Sequence, residues 1–223
     1  MKPTTRRRLS FVLGFSAYFV AVWYLWYTPV LYPLKIFVVL LHETSHALAL
    51  LATGGEVHRI TLDPAQGGLT VGAGGSAFIA LSSGYLGSLV LGSLLVLGAQ
   101  SRRIASRVLL MIVGALVLLL TVVYVRNVFG LTFGLLFGSG LLWGGRRLAE
   151  NWSTSLLMAL GLTSVGYAIL DIKSDIIDRP ELQSDARMLA EMTGIPTVVW
   201  GVLWIGLALL AAVWLVRRAY RNA

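Results

Sequence analysis

The chain is 223 residues long, carries no cysteine, and has a hydrophobic content of 57%, a charged content of 13% and a net charge of +8. A mean hydropathy of +0.80 lies far from soluble averages and points to a membrane protein. The missing cysteines exclude disulfides, thiolate metal sites and cysteine nucleophiles.

The positive charge has a plain reading. The Lys and Arg residues stand in short clusters flanking apolar runs, as headgroup contacts and topology signals do, and no interleaving of aromatic and basic residues supports a nucleic-acid site. The expected partners are the lipid bilayer and a membrane-protein substrate, with no nucleic acid.

A bilayer core takes about 20 apolar residues per helix. In chain order the candidate spans run near Phe11 to Trp26, Leu31 to Ala52, Ser76 to Leu97, Ile104 to Val125, Val128 to Trp143, Trp152 to Leu170 and Ile195 to Val216. The expectation is an all-α polytopic membrane protein with about seven transmembrane helices, residues 1 to 223 forming a single membrane-embedded domain. The basic residues 1 to 8 precede a retained first helix rather than a cleaved signal peptide. Only Arg126 and Asn127 separate the fourth span from the short fifth, so that pair reads either as two helices or as one broken helix.

Two polar segments interrupt the spans. Between Glu56 and Gly75, β-branched residues flank an Asp63 to Gly68 turn, which predicts a β-hairpin. Between Ile172 and Gly194 lie Asp175, Asp178 and Asp185, with Asp171 at the edge. Gly84, Gly87 and Gly92 give the third span a small-residue face suited to close helix packing.

The chemistry concentrates in the second span. His42 and His46 are four residues apart, so both imidazoles fall on one helix face and can reach one metal. Glu43 sits about 100° around the helix from His42, able to act on a water at the metal without being a ligand. This is the H-E-x-x-H arrangement of zinc hydrolases, expected by chance in this composition roughly once in a thousand such chains. Three ionisable side chains in one turn of an intramembrane helix, each costing about 2.5 to 3.5 kcal/mol, need a shared partner, and Zn2+ is the expected cofactor.

A catalytic zinc takes three protein ligands and a water. His58 falls in the expected hairpin and is not well placed. The motif lies in the second half of its span, so the metal is near the side where that helix ends. The sixth span runs in the same direction and Asp171 lies at its end, which makes Asp171 the first choice for the third ligand. Asp175 and Asp185 stand in reserve, with Asp178 weaker. Asn127 falls on the same side, where its amide is a candidate to bind substrate or an oxyanion.

These residues resemble the membrane-embedded zinc metallopeptidases of the site-2 protease type. His42-Glu43-Thr44-Ser45-His46 is similar to that family's zinc motif, Leu170-Asp171 resembles the start of its Leu-Asp-Gly motif, and the hairpin resembles its membrane-associated one. The segments Gly67 to Thr70, Gly84 to Ser88, Arg126 to Gly130 and Ser184 to Pro196 look like a compact bacterial and plant branch. Ile172 stands where the family has glycine, the Asn-x-x-Pro segment is not recognisable, and no PDZ domain is inserted.

The resemblance implies an intramembrane zinc metallopeptidase in a bacterial cell membrane with Glu43 as general base. It places the N-terminus and the site on the cytoplasmic side, which charge alone does not decide, with nine Lys and Arg on that side against eight on the other. The rival readings are a non-catalytic zinc-binding scaffold or chaperone and an ion-coupled transporter.

Overall fold

The computed structural model describes residues 3–26, 28–101, 103–173, 176 and 183–222. The elements are α1 (Pro3–Leu25), α2 (Tyr32–Ala52), β1 (Glu56–Leu62), β2 (Gly68–Ala73), α3 (Ala77–Ala99), α4 (Ser106–Tyr124), α5 (Val128–Arg147), α6 (Glu150–Ile172), α7 (Asp185–Thr193) and α8 (Thr197–Asn222). Six of these, α2 to α6 and α8, are long and apolar enough to cross a membrane. The expected count of seven included α1, whose apolar stretch Val12–Val22 is shorter.

Among the spans α2 is the hub. Its window is 67% buried against 22–50% for the others, and Ile36, Phe37 and Leu40 form a core with Leu110, Leu141, Leu157 and Leu160 from α4, α5 and α6. Outward positions such as Leu116, Val122, Leu136, Val202 and Leu210 remain exposed and apolar, as a surface facing lipid requires. Helix α3 lies between α2 and α6. Its small residues allow the approach, with Gly87 against Ser45 of α2 and Gly92 against Ser164 of α6.

The hairpin forms where turn chemistry places it. Asp63 accepts from Ala65 N through its side chain at 2.6 Å, and Asp63 N donates to Gly67 O at 2.7 Å. Strand β1 pairs antiparallel with β2 from Glu56↔Ala73 to Leu62↔Gly68, with a register shift between Val57 and Arg59. His58 lies at that shift and is exposed.

The fourth and fifth spans are two helices, and the break between them has a use. Val125 is extended and makes a parallel bridge with Ile60, and Arg126 N donates to Ile60 O at 3.0 Å. The interruption thus occupies the outer edge of β1. Helix α7 is a short amphipathic piece, opened by Ser184, whose side chain accepts from Arg187 N, and closed by Gly194 in the left-handed conformation. Its Ala186 and Leu189 pack with Tyr85 of α3, Ile172, Ile176 and Trp204 of α8.

Candidate metal centre

Helical spacing on α2 stacks His42 and His46 with ring centroids 4.7 Å apart. Each ring has a support. His46 Nδ1 lies 2.8 Å from Ala80 O, and because a carbonyl only accepts, Nδ1 carries the proton and Nε2 is left with its lone pair. His42 is held by the edge of Tyr85, ring centroids 4.8 Å apart at 83°. Helix α3 can come this close only because residue 84 is glycine: a Cβ there would lie 2.5 Å from His42 Nε2 and 2.6 Å from His46 Cε1.

The third donor comes from α7. Asp185 Oδ2 lies 3.1 Å from His42 Nε2 and 3.2 Å from His46 Nε2. That oxygen is buried and neither contact has the alignment of a hydrogen bond. Donors about 2.0 to 2.1 Å from a tetrahedral zinc stand roughly 3.3 Å from one another. The three atoms are therefore spaced as donors aimed at a common point rather than as mutual hydrogen-bond partners. Two imidazole nitrogens and an ionised carboxylate oxygen are a donor set that suits Zn2+, and the residues present fit that ion. Among the described residues, His42, His46 and Asp185 are the group able to hold a metal.

Glu43 is buried and its carboxylate is not in that group. It faces the hairpin. Thr70 Oγ1 lies 2.7 Å from Glu43 Oε2 and 3.0 Å from Glu43 O, while Oε1 would be 2.5 Å from a Cβ placed on Gly68. Two histidines and one aspartate thus form a group able to hold a metal, with Glu43 beside it tied to β2.

The sequence model of a family described as Peptidase M50B-like matches residues 15–215. The chain belongs to that family, the site-2 protease family. No curated protein and no solved structure matches it. The M50B-like assignment and the six apolar helices make this an integral multi-pass membrane protein, and the family implies a zinc-dependent metallopeptidase.

Two candidate residues from the sequence, Asp171 and Asn127, have surroundings other than those expected in this M50B-like structure. Asp171, the first choice for the third ligand, is not among the three grouped donors. It lies within electrostatic reach of His42 and sits in the last turn of α6, while Asp185 in the first turn of α7 is the carboxylate grouped with the two histidines. The reserve residue Asp185 is the one whose carboxylate lies with the two imidazoles. Asp175 and Asp178 lie outside the described residues.

Asn127 is on the expected side, but both ends of its amide are engaged by one residue. Its Nδ2 donates to Leu62 O at 2.8 Å and its Oδ1 accepts from Leu62 N at 3.2 Å. It anchors β1. The open cleft of about 380 Å3 beside it is lined by Asn127 and the hairpin turn between Thr61 and Leu69, Gly68 included, so the cleft adjoins β2, the strand that contacts Glu43.

Asp185 had a signal in the sequence. Ser184 before a helical pattern, with Gly194 and Pro196 after it, marks a short capped helix, and a carboxylate in its first turn has a fixed position that a loop aspartate lacks. Thr70 ends the Gly67 to Thr70 segment noted in the sequence, but nothing local marks its contact with Glu43, which is non-local.

Proposed function

We propose that this protein is an intramembrane zinc metallopeptidase that hydrolyses peptide bonds of membrane-protein substrates, with His42, His46 and Asp185 holding Zn2+ and Glu43 as general base. The observation that carries this reading is the three-donor group with Glu43 next to it and outside it. A structural zinc takes four protein ligands, whereas a catalytic one keeps a position open. That difference favours the peptidase over a scaffold that merely retains zinc. An ion-coupled transporter would need its acidic groups exchanging with solvent, and Glu43 is instead tied to Thr70.

When bound, Zn2+ supplies Lewis acidity to polarise a scissile carbonyl and to ease removal of a proton from water. Glu43 Oε1 takes that proton as the water oxygen bonds to the carbonyl carbon, and returns it to the leaving amine as the C–N bond breaks. His46 keeps its Nε2 available through its bond to Ala80 O.

The hairpin supports a way to present the substrate. Ile60 and Leu62 turn their backbone groups outward to Arg126 and Asn127, which fills the outer edge of β1. By the alternation of an antiparallel pair, their partners Gly68 and Thr70 turn theirs outward on β2. Among the described residues the sheet has two strands, so the outer edge of β2 is the one left to pair. A substrate stretch, unwound because helical carbonyls are already hydrogen-bonded, would add there as a strand beside Glu43. We place the site toward the cytoplasmic face of a bacterial cell membrane.

The test is zinc content and cleavage of a tethered membrane peptide by purified protein in lipid vesicles. Wild type should hold about one zinc and cleave, and Glu43→Gln should hold zinc and not cleave. Full cleavage by Glu43→Gln would remove the general base.

A further inference from the structure

The face of β2 that meets α2 carries Gly68 and Thr70, two positions apart and therefore on the same side of the strand. Each meets a different oxygen of one carboxylate: Thr70 Oγ1 lies 2.7 Å from Glu43 Oε2, and a Cβ on Gly68 would lie 2.5 Å from Glu43 Oε1. The same hydroxyl is also 3.0 Å from the backbone oxygen of Glu43. We propose that Thr70 is a positioning residue for the reaction: its hydroxyl fixes the side chain of Glu43 so that Oε1 is presented over Gly68, at the strand that would hold the substrate. This rests on the metallopeptidase reading and adds a residue to it.

A glutamate side chain has three rotors, and the carboxylate of an unanchored base would sample several of them. A hydroxyl that touches both the backbone and the carboxylate of one residue removes that freedom. It has one proton to give, and an ionised carboxylate is the stronger acceptor, so the proton goes to Oε2. Oε1 is then the oxygen left for proton transfer. Gly68 complements this by having no side chain where Oε1 must be.

The outer edge and the inner face of β2 thereby serve one geometry. The backbone groups of Gly68 and Thr70 that point outward would set the register of an added strand, while their inner face sets the aim of the base. A threonine is β-branched and suits a strand, as valine does, so replacing the hydroxyl by a methyl keeps the strand and removes only the anchor.

Three variants in the full-length, zinc-loaded protein in lipid vesicles test this: Thr70→Val, Thr70→Ser and Gly68→Ala, each measured for zinc content, melting temperature, kcat and KM on a tethered membrane peptide. Misaiming a reacting group by about 1 Å costs up to about 100-fold, so Thr70→Val should lower kcat by roughly 10- to 100-fold with KM within about twofold and with zinc and melting temperature as in wild type. Thr70→Ser should return kcat to within about threefold of wild type because it restores the donor. Gly68→Ala should show the same loss of kcat with zinc retained, and serves if Thr70→Val does not fold.

If wild type cleaves, Glu43→Gln does not, and Thr70→Val keeps its kcat, the role of Thr70 is overturned while the metallopeptidase reading stands. A raised KM with unchanged kcat would make Thr70 a substrate-binding residue and overturn it likewise. Equal losses in Thr70→Val and Thr70→Ser would reduce it to a packing residue. No cleavage by wild type would overturn both.

Discussion

Asp185 Oδ2 lies 3.1 Å from His42 Nε2, a contact that joins a nine-residue helix near the end of the chain to the second helix at its beginning. Neither element crosses to the other through a shared loop. What brings them together is the packing of Ala186 and Leu189 against Tyr85 and Trp204, with Tyr85 in turn against His42. The site is closed by hydrophobic docking of α7, and its third donor arrives with that docking.

Removing a ligand should therefore be separable from removing a nearby charge. Asp185→Ala is expected to weaken zinc binding by more than about 100-fold, beyond the 10- to 100-fold typical of a group that only orients a ligand. Asp171→Ala is expected to keep the metal and to change affinity by less than about tenfold, since it contributes charge at a distance. Titration with zinc in metal-buffered solution measures both. Retention of tight binding by Asp185→Ala together with its loss in Asp171→Ala would return the ligand to the end of α6.

Gly84 makes a second separable case. A Cβ there would enter the van der Waals radius of both imidazoles, and overpacking of this kind costs about 1 to 3 kcal/mol. Gly84→Ala should lower zinc occupancy and melting temperature together. Gly166 on α6 has nothing within 4 Å of an added Cβ, so Gly166→Ala should be neutral or stabilise by up to about 1 kcal/mol through helix propensity alone. Equal behaviour of the two variants would show that the approach of α3 to the histidines is not tight.

The contrast between these residues explains what sequence conveys. His42, Glu43 and His46 were legible because a helix fixes residues three and four apart on one face, and three ionisable groups in an apolar run need a reason. The hairpin was legible because Asp63 and the two glycines at 67 and 68 specify a turn locally. Asp185 was legible only as one of several acids, since nothing local says that the start of α7 docks beside the histidines of α2. The docking of Val125 to Asn127 on β1 and the contact of Thr70 with Glu43 join segments far apart in sequence, and no periodicity records them. The apolar run of α1, Val12–Val22, is shorter than the other spans.

Asn127 gives a prediction about that docking. Its amide satisfies Leu62 N and Leu62 O at once, and a buried backbone group that loses its partner costs about 1 to 3 kcal/mol. Leu62 is buried, so Asn127→Ala should loosen the end of β1 without touching the metal ligands. Hydrogen exchange at the hairpin should quicken by roughly 10- to 100-fold, with zinc content unchanged. Unaltered exchange with lost cleavage would instead put the amide in contact with substrate.

The cytoplasmic placement proposed for the site can be measured directly. Helix α4 ends, and α5 begins, at the segment that bridges β1. The 20 residues of α5 then carry the chain about 30 Å away, so Ala65 at the hairpin turn and Arg147 at the end of α5 should lie on opposite faces of the membrane. Both are exposed, and the chain contains no cysteine of its own, so a single cysteine at either position reports without background. An impermeant maleimide added to intact cells should label Arg147→Cys and not Ala65→Cys, and in inverted vesicles the pattern should reverse. Labelling of Ala65→Cys from outside would turn the whole site to the outer face. Labelling of both from one side would mean that α5 does not span the bilayer.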